Sequence, residues 1–422
     1  MRNRFWLMLL VAGVAGTVAA CSEDLNSTAG CPSLCSEQNI VSRDTVLETF
    51  MAVDTTVLGY PVIGTETFLL VASRGDTLDT RAVMRFDTLT QRFTRGGADS
   101  AIYTVDSSMV TLRLDTTGTK ATAPVSLQVY DVDTTAADTA TSVALSLFRP
   151  DRLIGGRTYA VTELKDTLRV PLFNDKVLGK LTGTAPRRLR LGFRVQSAAS
   201  AQIRIVSRDG GGAPTLSYDA SPDTTVKAII NSPSSSTPTD NPTLRSDLTD
   251  YQLVAFSPST VAGNLLGVGG LPSQRTYLRF DVPSRLVDSS ATVVRATLLL
   301  TQVPTNSVDA GDSLTIYPQV VRAAVSLADV VKSAGILNPP ALEIDSLRFR
   351  PNESGQRAIE IVGALSEWKA IGASSLQRAI VLRAATEGAS APVVLFYSSK
   401  AAPAQRPRLR ITYVNKVELG IP

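Results

Sequence analysis

The sequence predicts an all-β protein built as two tandem antiparallel β-sandwiches with one or two short helices. Three observations carry this reading. Apolar and polar residues alternate with a period of two along many short runs, as half-buried strands require. Thr and Val are abundant in those runs, while Pro, Gly, Asp and Ser punctuate them. The same set of segments then occurs twice along the 422 residues. With 44% hydrophobic and 19% charged residues the chain has an ordinary globular composition, which excludes a wholly disordered protein. It contains no histidine, so His-based triads, His general bases and His-containing zinc sites are excluded before any motif is sought.

From the N-terminus, Arg2 and Arg4 precede an apolar or small run from Phe5 to Ala20. The run is short for a membrane-spanning helix, which needs about 20 residues, and has the layout of a secretory signal peptide over residues 1–20. Val18-Ala19-Ala20-Cys21 resembles a bacterial lipobox, which implies lipidation at Cys21 and attachment to a membrane through it. Ser22 stands where an Asp would retain an enteric lipoprotein in the inner membrane, so the expected location is the outer membrane or cell surface. Loss of the leader takes Arg2 and Arg4 with it and leaves a net charge of about +2. No basic cluster accompanies that balance, and nucleic acid is not an expected partner.

Residues 21–43 read as a tether. Cys31 and Cys35 lie within it, four positions apart in an oxidising compartment. A local disulfide and a pair of free thiols both remain open; two thiols without histidine are too few for a metal site.

The first sandwich is expected over 44–222. Val110–Leu114, Val125–Val129 and Leu189–Val195 alternate cleanly. Residues 223–243, including Asn231-Ser-Pro-Ser-Ser-Ser-Thr-Pro-Thr-Asp-Asn-Pro242, read as a polar linker. The second sandwich follows over 244–422, with alternating runs at Val294–Leu300 and Leu409–Tyr413. Ser326–Ala334 has a capping Ser and a terminal Gly335, and Ile361–Ile371 stops at Gly372; both fit short helices.

The repeat is visible as matched segments at offsets of roughly 180–200 residues. Val83-Met-Arg-Phe-Asp-Thr88 matches Tyr277-Leu-Arg-Phe-Asp-Val282. Phe68–Val71 matches Asn264–Val268, Asp106–Val110 matches Asp288–Thr292, and Thr215–Tyr218 matches Arg410–Tyr413.

The second repeat resembles the DNRLRE family of extracellular bacterial and archaeal domains. The matching pieces run in the family's order: Tyr277-Leu-Arg-Phe-Asp281, Val294–Leu300, Val362-Gly-Ala-Leu-Ser-Glu-Trp368, Ala379–Leu382 and Arg406–Tyr413. They cover about a third of the chain. The first repeat keeps the Arg-Phe-Asp core but has no Trp where Trp368 would align. The resemblance implies a jelly-roll-like sandwich on an exported protein, polysaccharide binding in some members, and no catalytic site.

Candidate site residues are few. Asp87 and Asp281 read either as ligands of a structural calcium or of another partner, or as hydrogen-bonding residues at a strand end beside the core residues Phe86 and Phe280. Sugar rings stack on exposed aromatic faces, and after loss of the leader the chain holds one Trp, 10 Tyr and 11 Phe. Trp368 is either such a platform or the residue that packs its helix onto a sheet. Tyr130 and Tyr317 align across the repeats, and the strand phase points Tyr130 outward. No Gly-x-Ser-x-Gly, phosphate loop or calcium-loop spacing occurs, and most Asp residues sit in Asp-Thr and Asp-Ser turns. The expectation is therefore a non-enzymatic protein with no cofactor. Its partner is an extracellular polysaccharide or, alternatively, a surface protein for which the sandwiches act as spacer or assembly component.

Overall fold

The structure, a computed structural model, describes residues 42–48, 50–183, 187–220, 226–233, 241–257, 261, 263–287, 290–305, 312–323, 346–371 and 377–415. Cys21, Cys31, Cys35 and the helix expected over 326–334 lie outside the described residues.

The described chain is all-β. It opens with Ser42–Leu47 (β1) and Met51–Tyr60 (β2), followed by the hairpin Phe68–Arg74 (β3) and Leu78–Phe86 (β4). Arg92–Arg95 (β5) and Ala98–Ala101 (β6) form a small hairpin of their own. Ser107–Arg113 (β7), Lys120–Ala121 (β8), Val125–Asp131 (β9), Leu153–Tyr159 (β10) and Thr167–Pro171 (β11) come next. Leu189–Ser197 (β12), Ala201–Val206 (β13), Thr215–Asp219 (β14) and Ile229–Asn231 (β15) complete the first half. The second half holds Asp250–Phe256 (β16), Leu265–Gly269 (β17), Ser273–Phe280 (β18), Ala291–Val303 (β19) and Leu314–Ala323 (β20). Leu347–Phe349 (β21), Gly355–Glu360 (β22), Gln377–Ala384 (β23), Val393–Tyr397 (β24) and Arg408–Asn415 (β25) follow.

Three helices lie among the described residues: Thr141–Ser146 (α1), Asn174–Thr182 (α2) and Val362–Ile371 (α3). The last is the helix expected from the sequence. The other two exceed the one or two expected: α1 is a six-residue turn too short to show a period, while α2 buries the i,i+4 pair Val177 and Leu181.

In the first half, an eight-stranded sheet faces a four-stranded one. The order β10-β9-β12-β4-β3-β13-β8, with β16 added to β4, packs against β11-β7-β14-β15. The alternation selects the inner face: Val110 and Leu112, Leu189 to Val195 at every second position, and Phe86 are all buried between these sheets. In the second half, one eleven-stranded sheet encloses its own core. Its two wings meet at β17 and β18, which share only the pair Gly269 and Gln274, so the sheet bends there. Leu266, Leu278, Phe280, Leu298, Ile380, Phe396 and Leu409 from both wings fill the space, with α3 closing one side through Ala364, Leu365 and Trp368. Each such side chain, fully buried, contributes about 1.5–3 kcal/mol.

The two sandwiches exchange strands. β2 and all but the first two residues of β1 lie inside the stretch expected to be the first sandwich, yet β1 pairs with β25 and β2 with β18. In return β16, from the stretch expected to be the second, pairs with β4. The two exchanged strands occupy equivalent places. Asp250 opposes Met84 and Asp54 opposes Leu278, one residue before Arg85 and Arg279 of the matched Arg-Phe-Asp segments. Asp250 accepts the Arg208 backbone N–H at 2.7 Å, just past β13; Asp54 accepts that of Ser399 at 2.6 Å, just past β24. Gln252 Oε1 accepts the Leu70 N–H of β3 at 2.7 Å, and Thr56 Oγ1 the Gly267 N–H of β17 at 2.9 Å. Both strands present an acidic residue and, two positions on, a polar acceptor, so each satisfies the slot of the other repeat.

Candidate functional site

Cys21 and the Cys31 and Cys35 pair fall outside the described residues. The remaining candidates lie in different parts of the fold. Trp368 is 3% exposed; its ring lies 5.3 Å from Phe280, which stacks on Phe50 at 5.5 Å. It packs α3 onto the sheet and presents no face to a ligand. Tyr130 is 6% exposed, which corrects the expectation that it stands at the surface. Its strand phase does turn it away from the main core, but α1 and the following Leu147 and Phe148 fold over that side. The Phe148 ring sits 5.3 Å from Tyr130, and the hydroxyl donates to Gln128 Oε1 at 2.7 Å. Gly192 permits this cover, since a Cβ there would lie 2.6 Å from Phe148 Cζ. Tyr317 is half-buried on β20, opposite Arg383, in the other half of the molecule.

The Arg-Phe-Asp segments diverge. Phe86 and Phe280 are core residues. Asp87 is buried and paired with Arg85 Nε at 2.9 Å; burial pushes its carboxyl up, and Arg85 opposes that. Asp281 is exposed at a cleft of about 430 Å³ with Val46, Glu48, Phe50 and Pro283. Among the described residues no three Cys, Asp or Glu side chains gather as a metal site would require.

Behind Asp87 lies a network that alternation could not reveal. Arg85 and Arg190 are both fully buried. Asp138 accepts from Arg85 Nη1 at 2.9 Å and from the Arg245 backbone N–H at 3.0 Å, and it pairs with Arg190 Nη2 at 3.1 Å. Arg85 Nη2 donates to the Arg245 carbonyl at 2.8 Å, and Arg190 donates to the Tyr251 hydroxyl. Burial pushes the Tyr251 hydroxyl up, with the Arg190 charge opposing it. The second half has a counterpart: Arg275 forms a two-pronged pair with Glu387 at 2.7 Å and 2.7 Å, and its guanidinium lies 3.8 Å over the Tyr60 ring. Both clusters are closed to solvent and clamp strands; neither is open to substrate.

The open polar surface lies on the same outer face of the first sheet, beyond the cover of α1. An open, shallow cleft of about 550 Å³ is lined by Ser73, Pro124, Ser126, Thr158, Arg194, Gln196, Ser197 and Ala198. Register places Thr158 opposite Ser126 and Ser126 opposite Gln196, so one hydroxyl, a second hydroxyl and an amide form a row across β10, β9 and β12. At about 4.8 Å between strands the row is about 10 Å long. Two residues along, Gly156, Gln128 and Arg194 form the next row. Gly156 adopts φ +148°, and a Cβ there would lie 2.7 Å from the Leu127 carbonyl oxygen, so this position of the row carries no side chain. Gln128 Nε2 donates to Gln196 Oε1 at 3.1 Å and links the two rows. Sequence reasoning missed these residues because polar positions on an alternating strand look like any solvated face; only the cross-strand register aligns them.

No family model matches the chain, and no curated protein matches it. Among solved structures it aligns with the structure of the Macrobrachium rosenbergii nodavirus at 9% identity, over 94% of this chain and 98% of that one, with a TM-score of 0.16. That score is too low to support any argument about fold or function.

Proposed function

We propose that the chain is a lipid-anchored, exported binding protein without catalytic activity, and that it takes extracellular polysaccharide on the outer face of its first sheet. The observation that carries this reading is the uncovered row of Thr158, Ser126 and Gln196 in a cleft of about 550 Å³. Hydroxyls and amides both donate and accept, which is the chemistry a polyhydroxylated chain presents in return. The leader, with Cys21 as lipidation site, supplies the membrane attachment and an outer-membrane or cell-surface location. The resemblance of the second repeat to the DNRLRE family agrees with an exported, non-catalytic sandwich. No cofactor is invoked. Affinity gels or glycan arrays with the purified mature protein test the reading: retention by at least one polysaccharide is expected, and no retention on any overturns it. Labelled palmitate entering the intact chain but not a Cys21→Ser variant tests the anchor.

A second reading is favoured by the strand exchange. Because β2 and β16 cross between the halves, the chain resists separation into two hinged domains, as suits a spacer or assembly component of a surface complex. Co-purification of a stoichiometric protein partner, with no polysaccharide retention, would select it.

A further inference from the structure

Among the described residues lining the cleft on the first sheet, one is ionisable, Arg194. Its guanidinium is only loosely held: Nη2 lies 3.5 Å from Asp79 Oδ2, and the side chain is 31% exposed. Asp79 is already engaged. Arg81 grips both its oxygens, Nε to Oδ1 at 3.0 Å and Nη2 to Oδ2 at 2.8 Å, and is itself packed 4.7 Å over the Phe148 ring. Two guanidinium groups therefore share one carboxylate, which leaves a net positive charge at the edge of the cleft. Arg194 is also placed in register with the polar surface, opposite Gln128 and two residues from Gln196. Among the described residues no aromatic side chain lines the cleft, so the stacking that holds neutral sugar rings is not supplied by them. A planar guanidinium beside hydroxyl and amide groups matches a carboxylate or sulfate carried on a polyhydroxylated chain.

We propose that this cleft selects an anionic polysaccharide, with Arg194 pairing its carboxylate or sulfate and Thr158, Ser126 and Gln196 hydrogen-bonding its hydroxyls. The inference rests on the reading of the protein as a polysaccharide binder and narrows it to acidic polymers.

The mature protein is run in affinity gels containing a polyuronate, a sulfated dextran or neutral dextran, at low and at moderate salt. Retardation by one or both acidic polymers and not by neutral dextran is expected; which acidic polymer retards identifies carboxylate or sulfate as the recognised group. Arg194→Gln should weaken that binding about tenfold or more, whereas Arg92→Gln, at an exposed pair with Asp99 on a separate hairpin, should leave it unchanged. Gln196→Ala, at the exposed end of the row, gives an independent reading if Arg194→Gln lowers the melting temperature: weaker binding is expected. Equal loss in the Arg194 and Arg92 variants would mean unspecific charge attraction and overturn the proposal, as would unchanged binding in both cleft variants. Retardation by neutral dextran alone, lost in Gln196→Ala, would end the anionic inference while leaving the polysaccharide reading standing; no retardation by any polymer ends both.

Discussion

Glu66 lies in the connector that carries the chain from exchanged β2 back to β3, and its ionisation should set how stability varies with pH. It is 6% exposed. Oε2 accepts the Gly64 N–H at 2.6 Å, and Oε1 accepts the Gln252 N–H from exchanged β16 at 3.4 Å. Burial pushes its carboxyl from 4.5 up to about 7, against these backbone hydrogen bonds and with a further push from Asp250. The folded state thus binds the proton more tightly than the unfolded chain. The stabilisation is fully present below about pH 4.5 and is lost as pH rises through about 7. A shift of about 2.5 at about 1.36 kcal/mol each makes the loss about 3 kcal/mol. Glu66→Gln keeps the shape and an acceptor for Gly64 but does not titrate. Urea unfolding of both proteins at about pH 4.5 and about pH 8 should show the native chain losing about 3 kcal/mol more than the variant over that range. Equal pH dependence in the two would refute the claim that burial at this crossing governs the carboxyl. Asp250 and Asp87 are also pushed up by burial, so their contributions run in the same direction and remain in the variant.

Asp138→Ala leaves Arg85 and Arg190 buried without their shared carboxylate and should cost about 3–5 kcal/mol in urea unfolding; a loss under about 1 kcal/mol would mean that water reaches both guanidinium groups. Trp368→Ala should cost about 3–5 kcal/mol through the cavity beside Phe280 while leaving polysaccharide retention unchanged; loss of retention at full stability would instead make the ring a ligand contact. Val53 and Arg279 are opposed across the exchanged pair, so Val53→Cys with Arg279→Cys should form a disulfide seen as a gel shift on oxidation. Its absence would argue that β2 pairs elsewhere.

Much of the fold was legible because alternation is a local property. Leu189 to Val195 and Val110 to Leu114 read as strands with a defined inner face, and both lie on the core as read. The Arg-Phe-Asp repeat likewise located β4 and β18 in their equivalent places. Tyr130 was placed on the correct side of β9, but its exposure depended on α1, which no period could forecast. Arg85 and Arg190 stand at outward positions, and what lies outward there is a buried carboxylate supplied by Asp138, 53 residues along the chain from Arg85. The cleft required knowing that Thr158, Ser126 and Gln196 share a row, which is a fact of pairing.

The amino-acid pattern by itself determined that this protein is all-β, repeated, and apolar on a chosen face of each strand, because side-chain alternation reports a face directly. Tertiary structure alone decided which strands become neighbours. A period of two names no partner, and the places of the equivalent strands β2 and β16 were settled by hydrogen bonds between residues 182 and 211 positions apart along the chain.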